Sequence, residues 1–323
     1  MTAARLAAAR AAAALAPIIP KANTSRLLYI DGDALAYTCA GRDDTPAGVA
    51  RARLFEYVQD SARAAGCAYP SNVRVLITAR DSHKGYRYAV ANVKPYQGQR
   101  SSSRRPRNWA HLRETLESGA FEKASGIKVE AGVAEADDLF GMYSSADPEN
   151  TVIQTQDKDM RMLPGWHLTW DDRQITYVAP GVYDHKFNDK QYGTKWFWLQ
   201  MLHGDSADNI PGLPKYQSGY DNQGQPKFAL CGEVTAGKIL AAAANDVQAF
   251  GIVADAYAGF YGYPDYCCQF LEQAILLWMR RGYNAPVFDV IEWLRGVDQE
   301  RCYYIETWGK RVIQQRIAEA VVA

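Results

Sequence analysis

The sequence predicts an α/β fold with a mostly parallel central sheet flanked by helices. Short apolar stretches rich in β-branched residues alternate with helical patterns, which is typical of parallel strands joined by helical crossovers. An aspartate follows several of these stretches, as expected at the carboxyl ends of parallel strands, where ligands bind in open α/β sheets. With 323 residues, 48% of them hydrophobic, the chain can bury one large core or two smaller ones.

The elements of the first two thirds follow from the local patterns. Short apolar runs predict buried strands, and apolar residues at near-helical spacing, such as Val49, Leu54 and Val58, predict helices. The predicted strands are Leu27–Ile30, Val73–Thr78, Thr151–Thr155, His167–Trp170 and Ile175–Val178. The predicted helices are Val49–Ala65, Trp109–Phe121 and Ala136–Ser145.

The last third of the chain is predicted to be helical. The segment GDSADNIPGLP interrupts the apolar pattern, and a stretch rich in Gly, Gln, Asn and Tyr predicts a loop over Gln217–Leu230. No internal repeat stands out. The predicted helices of this part are Lys195–His203, Glu233–Ala244, Tyr266–Arg281, Val287–Leu294 and Arg311–Val322.

The charges are balanced in total but unevenly distributed. Lys and Arg total 36 and Asp and Glu total 36, so the net charge gives no global sign of a polyanionic partner. Between Arg80 and Arg113, however, nine basic residues accompany a single acid, Asp81. Tyrosines lie among these cations, a combination suited to bases and a sugar–phosphate backbone, although runs of charge are usually solvated faces.

Three further features limit the class of protein. The six cysteines form no CxxC pair and have no histidine at zinc spacing, which predicts free thiols in a reducing, cytoplasmic setting. No stretch is long and apolar enough to span a membrane. Residues 1–26 form an Ala- and Arg-rich leader, which we expect to be solvated or loosely helical, although an organelle transit peptide has a similar composition.

Nine acidic residues occur in five short clusters, each after an apolar run or at the edge of a helix. Two carboxylates about 4 Å apart repel by roughly 4 kcal/mol at an effective dielectric constant near 20. A fold that gathers several of them therefore needs cations or protons among them, and oxygen ligands without His or Cys favour Mg²⁺ or Mn²⁺. The nine residues are Asp31, Asp81, Glu135, Asp137, Asp138, Asp157, Asp159, Asp205 and Asp208.

A single aspartate after a strand is often only a helix cap or a turn former. Repetition and spacing favour a metal site here. In an extended chain, Asp157 and Asp159 point to the same side. The i,i+3 spacing within EADD and within GDSAD places two acids on one helix face. Phosphate chemistry assisted by metal ions is the natural use of such a site.

A glycine-containing motif directly follows the last acid pair. Gly212 lies in DNIPGLP, and Gly232 precedes the predicted helix Glu233–Ala244. Glycine lets a phosphate approach backbone N–H groups, and a helix N-terminus favours the negative charge. The sequence Pro-Gly-Leu-Pro alone is an ordinary turn, but its position after two acids favours a helix–hairpin–helix that binds a phosphate backbone.

Taken in order, the motifs YIDGD, ITARD, PYQGQR, EADD, TQDKD and GDSADNIPG resemble those of the flap endonuclease superfamily, the PIN-like 5′ nucleases. The 5′→3′ exonucleases of tailed phages and the 5′-nuclease domain of bacterial DNA polymerase I are the most similar in pattern. The resemblance covers roughly Leu27 to Leu240. It implies a nuclease core over residues 27–200 with a basic arch at about 82–113, and a helix–hairpin–helix with C-terminal helices over 201–323.

The resemblance also implies roles for individual residues. Two divalent ions, Mg²⁺ or Mn²⁺, would lie among the acids, and a K⁺ ion would assist the hairpin. The inner ligands would be Asp31, Asp81, Glu135, Asp137 and Asp138, and the second ion would be held by Asp157, Asp159, Asp205 and Asp208. The implied DNA contacts are Arg87, Lys94, Tyr96, Arg100, Arg104, Arg105, Gly212, Gly232 and Lys238.

The chain departs from the family pattern at two places. Relatives commonly carry a lysine directly after the arch tyrosine, close to the scissile phosphate, whereas Gln97 follows Tyr96 here. The catalytic cation would then be Lys94 or Arg100, or it would be missing. The hairpin is also split, because Gln217–Leu230 separates its two glycines.

The resulting functional prediction is Mg²⁺-dependent hydrolysis of DNA phosphodiesters near a 5′ end, leaving a 5′-phosphate and showing no sequence specificity. The enzyme would act as a monomer on double-stranded DNA with a 5′ end or flap. One alternative is a non-catalytic DNA-binding protein on the same fold, which should have lost acids, yet all nine are present. Another is a PIN-type ribonuclease, including one that removes RNA from RNA–DNA hybrids. The sequence does not separate exonuclease from flap endonuclease.

Overall fold

A central sheet organises the fold of the protein, for which a computed structural model describes residues 25–99, 104–282 and 285–322. The sheet has six strands in the order β3-β2-β1-β4-β5-β6. The strands are β1 (Leu27–Asp31), β2 (Val73–Thr78), β3 (Lys128–Gly132), β4 (Thr151–Gln154), β5 (Gly165–Leu168) and β6 (Ile175–Val178).

Most neighbouring strands of this sheet are parallel. β1 pairs in parallel with β2 on one side, with Leu28 opposite Val73, and with β4 on the other, with Leu28 opposite Val152. β3 and β5 extend the parallel part, and β6 is antiparallel to β5. The predicted α/β class is therefore confirmed. Because the strand order reverses beside β1, the carboxyl ends of β1 and β4 flank a crevice of the kind in which α/β proteins bind ligands.

Helices cover both faces of the sheet and build the C-terminal half. The N-terminal helices are α1 (Gly32–Thr38), α2 (Ala47–Ala65), α3 (Arg87–Val90), α4 (Trp109–Glu117), α5 (Ala120–Ser125) and α6 (Ala136–Ala146). The C-terminal helices are α7 (Thr194–His203), α8 (Glu233–Ile239), α9 (Asp246–Tyr261), α10 (Asp265–Leu277), α11 (Asp289–Val297) and α12 (Gln299–Val322). Two small antiparallel pairs complete the described elements, β7 (His185–Phe187) with β8 (Lys190–Tyr192) and β9 (Lys215–Tyr220) with β10 (Pro226–Leu230).

The side chains of β1 alternate between two apolar cores, as the two-residue period of a strand requires. Leu28 and Ile30 pack into a cluster with residues of α1, α2 and α4. Tyr29, between them, packs into a larger cluster that includes Phe140 of α6 and continues through the C-terminal helices. Both faces of the centre of the sheet are thus buried, which explains why β1, β2 and β4 are mainly apolar runs rather than alternating patterns.

Several predicted elements differ from the structure. The helix predicted over Trp109–Phe121 is broken at Gly119, whose φ of +76° interrupts the helix between α4 and α5. The loop predicted over Gln217–Leu230 is largely the β9–β10 hairpin, because Tyr220 and Phe228 suit a strand better than its Gly and Gln content suggested. The sequence patterns did not predict β3 or α9.

Some predictions fall outside the described residues. Almost the whole leader (1–24) and Arg100 lie there. Among the residues that the structure covers, no helix has both the length and the apolar character needed to cross a membrane.

Candidate metal centre

The acidic clusters converge at the carboxyl edge of the sheet. Asp31 is the last residue of β1, and its side chain caps α1 by accepting the Ala34 N–H at 2.9 Å. Asp157 follows β4 at the start of a 3₁₀ turn and accepts the Asp159 N–H at 2.8 Å. Glu135 caps α6, so the acids of EADD open that helix next to the sheet edge. Parallel strands therefore deliver acids to one rim, as predicted.

Three carboxylates form the tightest group. Asp159, Asp205 and Asp208 are buried, and each offers an oxygen that lies within 4.8 Å of those of the other two. The loop that follows α7 brings in the last two, because Asp205 and Ile210 exchange backbone hydrogen bonds of 2.7 Å and close a tight turn between them. This trio draws on two of the five sequence clusters, which are 46 residues apart at Asp159 and Asp205.

Too few positive charges lie near the acids around this trio to balance their negative charge. Burial, together with Asp33, raises the pKa of Asp31 to about 6. Burial and the charge of Asp208 raise the pKa of Asp157 to about 7. The pKa of Asp137 is also raised well above its ordinary value, by burial first and then by Asp157. A cation or a proton bound at these acids would therefore stabilise the folded protein.

Two of the predicted inner ligands are neutralised from within the protein. The Arg87 guanidinium donates to both oxygens of Asp138 at 2.9 Å and to Glu135 Oε2 at 2.8 Å. Burial acts to raise the pKa of Asp138, but the charge and hydrogen bonds of Arg87 and Arg280 together outweigh it and hold that pKa below its ordinary value. Both oxygens of Asp138 are engaged by Arg87, which makes Asp138 an ion-pair partner in this arrangement, and its role as an inner metal ligand stays a prediction.

Arg87 and Tyr96 also lie elsewhere than predicted. Both were expected to contact DNA, yet Arg87 is 1% exposed and Tyr96 is 3% exposed. The Tyr96 hydroxyl lies 3.1 Å from both Glu135 Oε2 and Asp208 Oδ2. The acids draw these polar groups inward, because a buried carboxylate needs donors. Their assignment as surface contacts to DNA is therefore wrong.

Two lysines that the sequence patterns did not single out enter the site. Lys84 Nζ lies 3.3 Å from Glu135 Oε1, and Lys158 Nζ lies 2.7 Å from Asp205 Oδ1. Lys94, the lysine proposed to replace the family's arch lysine, is exposed. In the described parts of the chain, no hydrogen bond or ion pair joins it to the acids. Lys84 stands three residues before Arg87, a helical spacing that could have drawn attention to it.

Asp81 does not join the buried group. It is exposed, three residues beyond the end of β2, and no hydrogen bond or ion pair within residues 25–99, 104–282 and 285–322 links it to another acid of the site. Asp33 lies closer to the rim. It accepts the Thr78 N–H at 3.1 Å and forms an ion pair with Arg113.

Part of the basic segment, Arg80, Arg105 and Arg113, lines an open groove beside Lys84. The groove has a volume of about 930 Å³, and its walls include Tyr37, Tyr88 and Trp109. Arg105 is exposed and lies 4.1 Å from the centre of the Trp109 ring, while Arg104 is exposed and pairs with Asp43 at 2.8 Å. These two arginines remain candidates for contacts to a polyanion.

The glycines of the predicted hairpin have different environments. Gly212 has a φ of +62° and packs against Gly204, and its N–H donates to Gln273 Oε1 at 3.0 Å. That amide is therefore engaged inside the protein and is not available to a phosphate. Gly232 is exposed at the start of α8, and Lys238 of the same helix is exposed. The DNA-binding roles of Gly232 and Lys238 stay predictions.

Comparison with known proteins finds matches among solved structures. Neither a protein-family model nor a curated protein matches the chain. A solved structure of the bacteriophage T5 flap endonuclease, in a pseudo-enzyme–product complex with DNA and metal ions, matches with a TM-score of 0.47 and 18% sequence identity. The match covers 92% of this chain and 98% of that one.

Proposed function

We propose that the protein is a metal-dependent nuclease that hydrolyses DNA phosphodiesters near a 5′ end and leaves a 5′-phosphate. The observation that carries this proposal is the buried acid trio of Asp159, Asp205 and Asp208 beside further acids whose pKa values are raised. Buried carboxylates gathered this closely repel one another, and their hydrogen bonds and the Lys158 ion pair offset only part of that repulsion. They suit a site for divalent cations.

The donor set fits Mg²⁺ or Mn²⁺. The trio offers only carboxylate oxygens, and Asp31, Asp137 and Asp157 lie close enough for their charges to raise one another's pKa values. These six residues would hold the ions, because hard oxygen donors match hard cations. When bound, a pair of such ions lowers the pKa of water and stabilises negative charge on phosphoryl oxygens.

The neighbouring protein groups have roles of their own. Lys84, with a side chain 23% exposed and next to Glu135, is placed to stabilise charge on a phosphate that approaches the acids. Arg87 fixes Glu135 and Asp138 through hydrogen bonds and offsets part of their negative charge. Tyr96 bridges Glu135 and Asp208 and so links two sides of the site.

The open groove supports a nucleic acid as the substrate. Tyr37 and Tyr88, 46% and 54% exposed, present rings on which unpaired bases can stack. Arg104 and Arg105 add positive charge at the same segment, which attracts a phosphate backbone without reading its sequence. A single strand that ends in a free 5′ end would lie here and enter the acid site past Lys84.

A direct assay separates the alternatives. Duplex DNA with a 5′ flap, blunt duplex, single-stranded DNA and an RNA–DNA hybrid, each labelled at the 5′ end, are incubated with the protein in Mg²⁺, in Mn²⁺ and in EDTA. We expect cleavage near the 5′ end of the flap or blunt duplex only with metal. Binding without cleavage would support the non-catalytic alternative, and cleavage of RNA alone would support the ribonuclease. Cleavage in EDTA would refute the metal site.

A further inference from the structure

We infer that Glu272 and Gln273, two consecutive buried residues of α10, are positioning residues of the acid site. Each holds one of the two loops that carry functional groups into that site, and the two loops meet at Asp208. The inference rests on the proposed function for its kinetic consequences, while its effect on metal binding can be measured separately.

Glu272 holds the loop that follows α3. Its side chain is fully buried, and its Oε1 accepts the N–H groups of Asn92 and Val93 at 2.9 and 3.0 Å. Its Oε2 pairs with Arg316 of α12 at 2.7 Å. A buried carboxylate requires such partners, since an unpaired one would cost several kcal/mol. The loop is therefore fixed between α10 and α12, and it carries Tyr96 three residues further on.

Gln273 holds the loop that follows α7. It is 1% exposed, and its Oε1 accepts the Gly212 N–H at 3.0 Å. Gly212 packs against Gly204, where a Cβ would lie 2.3 Å from the Gly204 nitrogen, so the two ends of the loop are locked together. The residues between them include Asp205 and Asp208. The position of these acids therefore depends on an anchor in the C-terminal half.

The two anchored loops meet at Asp208. The Gln97 N–H donates to the Asp208 carbonyl oxygen at 2.9 Å, and the Gln97 side-chain amide lies 3.2 Å from Asp208 Oδ1. Asn209 Nδ2 donates to the Pro95 carbonyl oxygen at 2.8 Å. A shift of either loop would therefore change where the Asp208 carboxylate lies relative to Asp159.

The residues just beyond α10 act on the opposite side of the site. The Trp278 carbonyl accepts a hydrogen bond from Arg87 at 2.9 Å, and the Arg280 N–H donates to Asp138 Oδ1 at 3.2 Å. One helix and its extension thus contact three segments that bear site residues. Trp278, Arg87, Arg280 and Asp138 are all buried, so a small displacement here shifts packed neighbours.

The test compares two apolar substitutions with matched controls. Gln273→Met keeps the volume but removes the acceptor for the Gly212 N–H, and Glu272→Met removes the acceptor for the other loop. Glu272→Gln keeps one acceptor oxygen and should recover most of the loss. Tyr257→Phe removes a buried hydrogen bond of 2.7 Å to the Met201 carbonyl in the same half, so it controls for lost stability alone.

We measure kcat and KM on a 5′-flap duplex, the Kd for Mn²⁺ by calorimetry, and the melting temperature. For Gln273→Met we expect kcat to fall about 10- to 100-fold and Mn²⁺ affinity to fall about 10-fold, because partners beyond the direct ligands have effects of this size. KM should change less than threefold. Tyr257→Phe should lower the melting temperature without changing kcat or the Mn²⁺ Kd.

The outcomes separate this inference from the proposed function. If Gln273→Met lowers only the melting temperature, as Tyr257→Phe does, the positioning role is refuted. If the wild-type protein shows no cleavage in any metal, the nuclease proposal fails, and the Mn²⁺ titration still decides the positioning role. Glu272→Met removes the carboxylate partner of Arg316 and can unfold the chain, so Gln273→Met, which leaves one N–H unpaired, is the deciding variant.

Discussion

Two acids of the same site should respond to neutralisation with opposite signs. In metal-free protein, Asp157→Asn should raise the free energy of unfolding, whereas Asp138→Asn should lower it. Asp157 lies among other acids without an ion pair of its own in the described residues, and its pKa is raised to about 7 by burial and Asp208. Asp138 is paired with the buried Arg87 at 2.9 Å.

The magnitudes follow from these environments. Because the pKa of Asp157 is about 7 in place of 3.8, the ionised Asp157 side chain destabilises the folded protein by about 4 kcal/mol at high pH. Neighbouring acids share that repulsion, so we expect Asp157→Asn to stabilise by roughly 1–3 kcal/mol, since the amide still accepts the Asp159 N–H. Asp138→Asn leaves Arg87 buried without its main partner, which costs about 3–5 kcal/mol.

The assay is thermal unfolding in EDTA at pH 8, with Asp60→Asn as a control at a half-exposed acid of α2 outside the acid site. At about 2 °C per kcal/mol for a chain of this size, Asp157→Asn should raise the melting temperature by about 2–6 °C. Asp138→Asn should lower it by about 6–10 °C. Melting temperatures that shift in the same direction for both variants would refute the assignment of Asp138 to Arg87 and of Asp157 to the metal.

Other measurements follow from the same contacts. Because the folded-state pKa of Asp157 lies above its unfolded value, the metal-free protein should lose stability as pH rises through about 7, and its melting temperature at pH 8 should be below that at pH 6. Lys84→Ala should reduce single-turnover cleavage about 100-fold and Lys94→Ala less than threefold; equal effects would remove Lys84 from the site. Arg104→Ala should weaken duplex binding. The slope of log K against log salt concentration, measured by fluorescence anisotropy, should become shallower by about 1. Replacing residues 217–229 by a few glycines should leave the melting temperature nearly unchanged, since loop-closure entropy varies slowly with length; unfolding would show that the hairpin belongs to the core.

The sheet was predictable because its strands are short apolar runs with acids at their ends. The strand bounds Val73–Thr78 and Ile175–Val178 agree with the structure residue by residue. β3 was missed because Lys128 and Glu130 interrupt its apolar character at the sheet edge. α9 was missed because its Ala, Gly and aromatic residues give no clear polar face, and its burial is decided by the helices around it.

The sequence predicted that acids gather at one site, but it did not predict which cation pairs with which acid. Clustered aspartates after strands indicate where negative charge gathers, whereas only the folded chain decides which cation lies beside which acid. Arg87 belongs by sequence to a basic run, yet it is buried against Glu135 and Asp138. Contacts such as that of Gln273 with Gly212 join residues 61 positions apart, and no local pattern could indicate them.

The central claim is that the buried acids hold divalent metal, and calorimetric titration with Mn²⁺ tests it most directly. Wild-type protein, Asp208→Asn and the control Asp60→Asn are titrated after removal of metal with EDTA. We predict saturable binding to the wild type, unchanged binding to Asp60→Asn, and an affinity at least about 10-fold weaker for Asp208→Asn. The absence of Mn²⁺ binding to the wild type, or equal affinity in Asp208→Asn, would contradict the claim.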